Sequence, residues 1–183
     1  GIDWVATRNS LHAASLAAVF TTLASLPVAV LAVRFRGKLS AFVETSTYIG
    51  FGLPGIAVAL AIVFFAINYV SPIYQTLTLL VFAYVVLFIS AAVGVVRTSL
   101  LQVSPRVEEA ARTLGKRSIQ VMWRVTLPLI FPGIVGGAAV VFLMTMKELP
   151  ATLMLQPFNF STLATSAYGY ATEELLKEAS LWC

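Results

Sequence analysis

Three long, predominantly apolar stretches of the chain contain no aspartate, glutamate, lysine or arginine: residues 9–33, 45–96 and 125–146. A helix needs about 20 apolar residues to cross the roughly 30 Å hydrocarbon core of a bilayer. The first and third stretches therefore predict one membrane span each. The second predicts two, separated by a polar hinge at residues 68–75. We place the four spans near residues 11–33, 49–69, 75–96 and 128–147.

This pattern predicts an all-α integral membrane protein, a polytopic helical bundle. Lipid offers the backbone no hydrogen-bond partners, and a membrane barrel would instead show ten-residue segments of alternating polarity. Composition agrees, because only 11% of the 183 residues are charged and 59% are hydrophobic, whereas about 25% of an average soluble domain is charged. A soluble enzyme, a disordered chain and a disulfide scaffold are largely excluded.

Basic residues gather in two alternate loops, which predicts the orientation of the chain. Nine of the 12 lie there, namely Arg34, Arg36, Lys38, Arg97, Arg106, Arg112, Lys116, Arg117 and Arg124. Such loops face the cytoplasm, so both ends of the chain would lie outside. Because topology accounts for the net charge of +4, we expect membrane lipid and no nucleic acid as a partner.

The predicted cytoplasmic loop at 97–127 is too long for a structureless connection. Ser104 and Pro105 predict a helix start, with serine as the cap. Glu108 and Glu109 favour the positive end of the helix dipole, and Gly115 allows a left-handed turn at its end. A second short helix is predicted over residues 118–126, before the fourth span begins at Leu127 and Pro128.

Seven residues of this loop resemble the EAA signature of the permeases of ATP-binding-cassette (ABC) importers. They are Glu109, Ala110, Ala111, Gly115, Val125, Leu127 and Pro128, with valine in place of the family's isoleucine. The resemblance implies a type I importer permease fold, and a coupling helix, which includes Glu108, seated in a cleft of a separate cytoplasmic ATPase. An amphipathic helix lying on lipid is less favoured, because residues 105–115 contain no aromatic side chain.

The resemblance also implies the remaining partners and cofactors. They are a second permease half, fused or separate, and an external substrate-binding protein. ATP and magnesium would be used by the ATPase, and no cofactor would bind this chain. The sequence agrees, since it lacks the glycine-rich phosphate-binding loop of ATPases. We expect a transport component of the bacterial inner membrane rather than an enzyme. A secondary transporter subunit is a less favoured alternative.

The stretch from Lys147 to Leu155, Lys-Glu-Leu-Pro-Ala-Thr-Leu-Met-Leu, resembles the iron(III) branch of these permeases. The overall resemblance runs from Asn9 to about Ala179, and it implies iron(III) as the cargo. Related permeases for thiamine, phosphonate or polyamines remain alternatives. We expect residues 1–183 to form a single transmembrane domain and to be a fragment of a longer protein.

Two ionisable residues, Lys147 and Glu148, stand at the end of the fourth predicted span. Ionisable groups at bilayer depth are costly unless they are paired or solvated. The pair, with Leu149 and Pro150, would either border the translocation path or lie at the outer interface with Lys147 snorkelling to water. The resemblance favours the path. Pro150 predicts a helix break, followed by a bent or re-entrant element. No metal site is predicted, since His12 is the one histidine.

Overall fold

The computed structural model describes residues 4–35, 37–49, 52 and 54–180, and the regular elements among them are all helical. This confirms the predicted fold class. The helices are α1 (Trp4–Arg34), α2 (Lys38–Ile49), α3 (Gly55–Tyr69), α4 (Leu77–Gln102), α5 (Pro105–Thr113), α6 (Ser118–Val121), α7 (Leu127–Met146), α8 (Pro150–Leu155) and α9 (Leu163–Ser180). A 3-10 turn covers Ser71–Ile73, and a π-helical turn, Met122–Thr126, joins α6 to α7.

Three helices of the described chain are long and apolar enough to cross a bilayer: α1, α4 and the continuous run Ser118–Met146. They confirm three of the four predicted spans, with changed ends. α1 begins earlier than residue 11. α4 continues to Gln102, so the first part of the predicted loop at 97–127 extends this helix. The third run begins at Ser118 because no break separates α6 from α7.

The predicted span at 49–69 is replaced by the shorter helix α3. Its 15 residues extend only about 22 Å, less than the roughly 30 Å of a bilayer core. Pro54 has an extended backbone, with ψ of 131°, and α3 begins at the next residue. α2 was not predicted. Residues 50, 51 and 53, near the start of the predicted span, lie outside the described part of the chain.

The second short helix, predicted over 118–126, is only partly α-helical. After Val121 the chain widens into the π turn, and the Leu127 N–H bonds the Met122 carbonyl five residues earlier. Pro128 supplies the reason, because it has no N–H to offer the carbonyl of Arg124. A π turn accommodates such a gap without breaking the helix.

The described residues divide into two compact units. One comprises the described parts of Gly1–Ala17, Leu53–Leu87 and Phe142–Cys183, and within it α3 packs against α8. The other comprises the described parts of Ala18–Gly52 and Phe88–Val141, and its core contains Ala29, Val96, Leu100 and Ile130. The assignment of residues 1–183 to a single transmembrane domain stays a prediction.

α5 has a complete cap at each end. Ser104 is extended and its hydroxyl accepts a hydrogen bond from the Arg106 N–H at 3.4 Å, while Pro105 takes the first helical position. At the other end Gly115 adopts a φ of +79°. The Gly115 N–H then bonds the Arg112 carbonyl (2.9 Å), and the Lys116 N–H bonds the Ala111 carbonyl (3.3 Å). This pair of bonds is the Schellman motif, so the predicted role of Gly115 at the helix end is confirmed.

Replacing Gly115 should loosen the end of α5. Alanine at a left-handed position costs about 1 kcal/mol, so Gly115→Ala should speed amide hydrogen exchange in the peptide covering residues 104–117. Gly115→Asn should exchange more slowly than Gly115→Ala, because asparagine tolerates this conformation. Gly169→Ala in α9 is the control, since a Cβ there meets no atom within 4 Å. Equal exchange in the alanine and asparagine variants would contradict the prediction.

α4 and α7 approach closely at glycines of α7. A Cβ on Gly133 would overlap the side chain of Ser99, and one on Gly137 would lie 3.5 Å from a methyl group of Val96. Small residues allow such backbone approach between membrane helices. The close contact fits a packing role for these glycines.

Gly133→Ala should therefore destabilise the protein by about 1–3 kcal/mol, the usual cost of overpacking. Gly136→Ala is the matched control in the same helix, because its new Cβ would meet Val95 at an ordinary 3.7 Å. Adding Ser99→Gly to Gly133→Ala should recover much of the loss. The measurement is the midpoint of thermal unfolding in detergent. A wild-type midpoint for Gly133→Ala would show that the two helices do not meet at Ser99.

Candidate functional site

The side chains of α5 divide sharply between outward and inward directions. Glu108 is only 6% exposed, whereas its neighbours Glu109 and Ala110 are exposed and Ala111 is half-buried. Leu114, which follows the helix, is 82% exposed, and Ile119 in α6 is 62% exposed. The loop therefore carries small and apolar side chains on its outer surface while one carboxylate points inward.

Glu108 accepts two hydrogen bonds and makes a close ion-pair contact inside its own unit, all at Oε1. Arg34, the last residue of α1, approaches with Nη2 at 2.9 Å and donates from Nε at 3.0 Å. The Thr126 hydroxyl in the π turn donates at 3.0 Å. Arg112, one turn further along α5, lies 4.0 Å from the other carboxylate oxygen. Ionised groups are tolerated in buried positions when they are paired and hydrogen-bonded in this way.

Arg34 also binds the end of α4. Its Nη2 donates to the carbonyls of Val103 (3.0 Å) and Leu100 (3.5 Å). Carbonyls at a helix end have no partner within the helix, and a cation there complements the helix dipole. A single guanidinium thus joins α1, α4 and α5.

The remaining signature residues mark the start of α7. Leu127 is its first residue and packs against the core around Leu100 and Ile130. Pro128 follows and is exposed, while Val125 is half-buried in the π turn. α5 packs against both α6 and the π turn. The first signature residues, in α5, therefore pack against the segment that leads to the last ones, Leu127 and Pro128. The roles predicted for these residues stay predictions.

Sequence reasoning missed the partners of Glu108. Arg34 entered the sequence analysis only as one of the basic residues that predict membrane orientation. Thr126 occupies a position of the EAA signature that any residue can fill. Residues 34 and 108 are 74 positions apart, and no periodic pattern relates residues at that distance. The one available signal is that a basic residue at a helix end seeks carbonyls or a carboxylate.

A groove of about 650 Å³ opens beside this ion pair. The carboxylate of Glu109 and the guanidinium of Arg112 lie on its wall, together with Phe35, Ser118 and Met122. The groove thus combines an exposed charge of each sign with apolar surface. This mixture suits a protein side chain better than a lipid tail.

The second predicted group, Lys147 to Pro150, lies where α7 ends and α8 begins. Lys147 is exposed, and Glu148 and Leu149 are half-buried. Glu148 Oε1 accepts the Ala151 N–H at 3.2 Å, and the Thr152 hydroxyl donates to the Glu148 carbonyl at 2.7 Å. Pro150 is the first residue of α8, as its predicted role as a helix breaker requires. Glu148 therefore caps the short helix.

The Glu148 carboxylate also lies against the start of α3. A Cβ on Gly55 would lie 3.4 Å from Glu148 Oε1 and 3.9 Å from Leu87 of α4. Leu87 is about 15 Å along α4 from Leu77, so this contact lies beside the middle of α4 and not at its end. The Tyr84 and Thr152 hydroxyls, 2.7 Å apart, connect α4 to α8 beside it.

Within the described residues, no group of three or more histidine, cysteine, aspartate or glutamate side chains is placed to hold a metal ion. His12 is exposed.

Comparison with known proteins identifies the family. Residues 13–181 match the family described as the binding-protein-dependent transport system inner membrane component. The Fe(3+)-transport system permease protein FbpB 2 of Haemophilus influenzae is 34% identical over 168 residues, which cover 92% of this chain and 33% of that protein. The molybdenum transport system permease protein ModB of Mycobacterium tuberculosis is 31% identical over 157 residues, which cover 79% of this chain and 58% of that protein. The chain thus spans between a third and three-fifths of the length of these two relatives.

A solved structure shares the fold. The MetNI methionine ABC transporter, in an inward-facing conformation, superposes with a TM-score of 0.75 at 21% identity, over 90% of this chain and 78% of the matched chain. These likenesses confirm the resemblance drawn from Glu109–Pro128. The chain belongs to the family of binding-protein-dependent transport system inner membrane components, and it is a multi-pass membrane protein.

Proposed function

We propose that this chain is the membrane-spanning permease of an ATP-driven ABC importer and that α5 is the helix by which a separate ATPase moves it. One observation carries the proposal: α5 is capped at both ends and held from inside through Glu108, while its neighbouring side chains face outward. A helix that transmits force needs both properties, firm attachment to its own spans and a surface free to bind a partner.

The outward surface has the chemistry of a protein-binding site. Ala110 and Ala111 allow a partner backbone to approach closely, and the exposed Leu114 and Ile119 offer apolar area. The charged wall of the groove, with Glu109 and Arg112, can pair with charges on the partner. ATP, with magnesium, would bind the ATPase and not this chain. Closure of the ATPase would then displace α5 and switch the path between inward-open and outward-open states.

The remaining partners follow from the same proposal. The family description names a binding-protein-dependent system, which supports an external substrate-binding protein as the donor of cargo. A second permease half, fused or separate, would complete the path. Lys147 would border that path, because it is exposed at the end of α7 while Glu148 is engaged in capping α8.

Leu114→Asp should weaken ATPase binding about tenfold or more, since removing one buried leucine from an interface costs about 1.5–3 kcal/mol. The measurement is copurification of the ATPase with the membrane component. Phe158→Asp is the matched control: Phe158 is also 82% exposed but lies in the turn between α8 and α9. The ATPase assignment is wrong if Leu114→Asp and Glu109→Lys both recover the ATPase at the wild-type level.

We also propose iron(III) as the cargo. Support comes from the 34% identity to an iron(III)-transport permease and from the stretch Lys147–Leu155. The molybdenum permease relative, at 31% identity, supports an oxyanion as the rival cargo. Thiamine, phosphonate and polyamines are further rivals.

Deletion of the gene region encoding this chain should abolish uptake of radiolabelled ferric ion while leaving molybdate, thiamine, phosphonate and polyamine uptake unchanged. Each cargo should be assayed in the same deletion strain and in a strain with the region restored. Unchanged ferric uptake together with lost uptake of one of the other compounds would overturn the iron assignment and would identify that compound as the cargo.

A further inference from the structure

We infer that Arg34 and Thr126 are positioning residues for the coupling step, because both act through Glu108 to hold α5 to the membrane helices. This inference rests on the proposed function of α5. Movement of α5 passes to α1 and α4 through the Arg34–Glu108 ion pair, and it passes to α7 through the Glu108–Thr126 hydrogen bond.

The two adjacent glutamates of α5 have opposite surroundings. Successive residues of an α-helix are rotated by about 100°, so Glu108 and Glu109 cannot face the same side. Glu109 is exposed on the groove, where a partner protein would lie. Glu108 points into its own unit and is 6% exposed. The signature glutamate is therefore available to the partner, and its neighbour fixes the helix to the spans.

Arg34 is suited to this task by its geometry as well as its charge. Two of its nitrogens reach Glu108 Oε1, and Nη2 also reaches the Val103 carbonyl near the end of α4. The planar guanidinium makes these contacts at fixed relative angles, which the single ammonium of lysine cannot reproduce. Its side chain is 13% exposed and that of Glu108 is 7% exposed, so water competes little with either group.

Thr126 makes the connection to α7 from an unusual position. It lies at the end of the π turn, immediately before Leu127, and is fully buried. Its hydroxyl donates to the same oxygen atom that Arg34 binds. One carboxylate oxygen thus receives bonds from the end of α1 and from the start of α7, so that α5 cannot shift without moving or breaking both.

The test uses the complete transporter in proteoliposomes, with its ATPase, its binding protein and ferric ion as cargo. The readout is the number of ions imported per ATP hydrolysed, measured beside ATPase copurification. Arg34→Lys keeps the positive charge but loses the planar guanidinium with its several N–H donors. Thr126→Val keeps the shape of the side chain but loses the hydroxyl. Both should bind the ATPase normally, yet import per ATP should fall at least about fivefold, the lower end of typical energetic coupling between sites.

Two controls separate positioning from general damage. Thr126→Ser restores the hydroxyl and should restore the wild-type ratio. Lys38→Ala removes an exposed cation from the same predicted cytoplasmic loop as Arg34 and should leave the ratio unchanged, which controls for any effect of charge on membrane orientation. A wild-type ratio in both Arg34→Lys and Thr126→Val, with the ATPase bound, overturns this inference alone. Failure of the wild-type chain to bind any ATPase overturns the proposed function instead.

Discussion

The packing of α5 against α1, α4 and the π turn depends on one buried ion pair, that between Arg34 and Glu108. Burying a charge is unfavourable unless the partner and the surrounding hydrogen bonds compensate for lost hydration. Here the carboxylate receives bonds from a guanidinium and a hydroxyl, and the guanidinium also satisfies carbonyls at the end of α4. Removing Arg34 would leave the buried Glu108 carboxylate with the Thr126 hydroxyl as donor and Arg112 4.0 Å away, and removing Glu108 would leave Arg34 without its carboxylate. That interdependence fixes α5 relative to α1, α4 and α7.

Prolines set the boundaries around both candidate groups. Pro105 and Pro150 occupy the first positions of α5 and α8, and Pro54 directly precedes α3. Proline suits such positions because its missing N–H would have no partner in the first turn. Pro128 acts differently, since the helix continues through it by widening into the π turn. A carboxylate accompanies two of these starts, with Glu108 in the first turn of α5 and Glu148 capping α8.

Local features of the fold could be predicted from the sequence, and long-range ones could not. The charge-free stretches located α1, α4 and α7, and the Ser104-Pro105 start and Gly115 end of α5 follow from backbone preferences within a few residues. The span at 49–69 was overestimated because hydropathy counts apolar residues without regard to the break that Pro54 introduces. The partners of Glu108 were missed because the contact with Arg34 joins residues 74 positions apart. Thr126 was missed because the π turn that holds it depends on a hydrogen bond that Pro128 cannot make.

The separation between Arg34 and Glu108 has a consequence for the synthesis of the protein. Ribosomes add about 5–20 residues per second, so Glu108 is made roughly 4–15 s after Arg34, 74 positions later. In the orientation predicted from the basic loops, Arg34 would be a solvated cation beside α1 during that interval, and a cation there favours retention of that end in the cytoplasm. In that orientation the same side chain would act first as an orientation signal. It would lose that exposure only when α5 is made, so the ion pair would close after α1 and α4 have been synthesised.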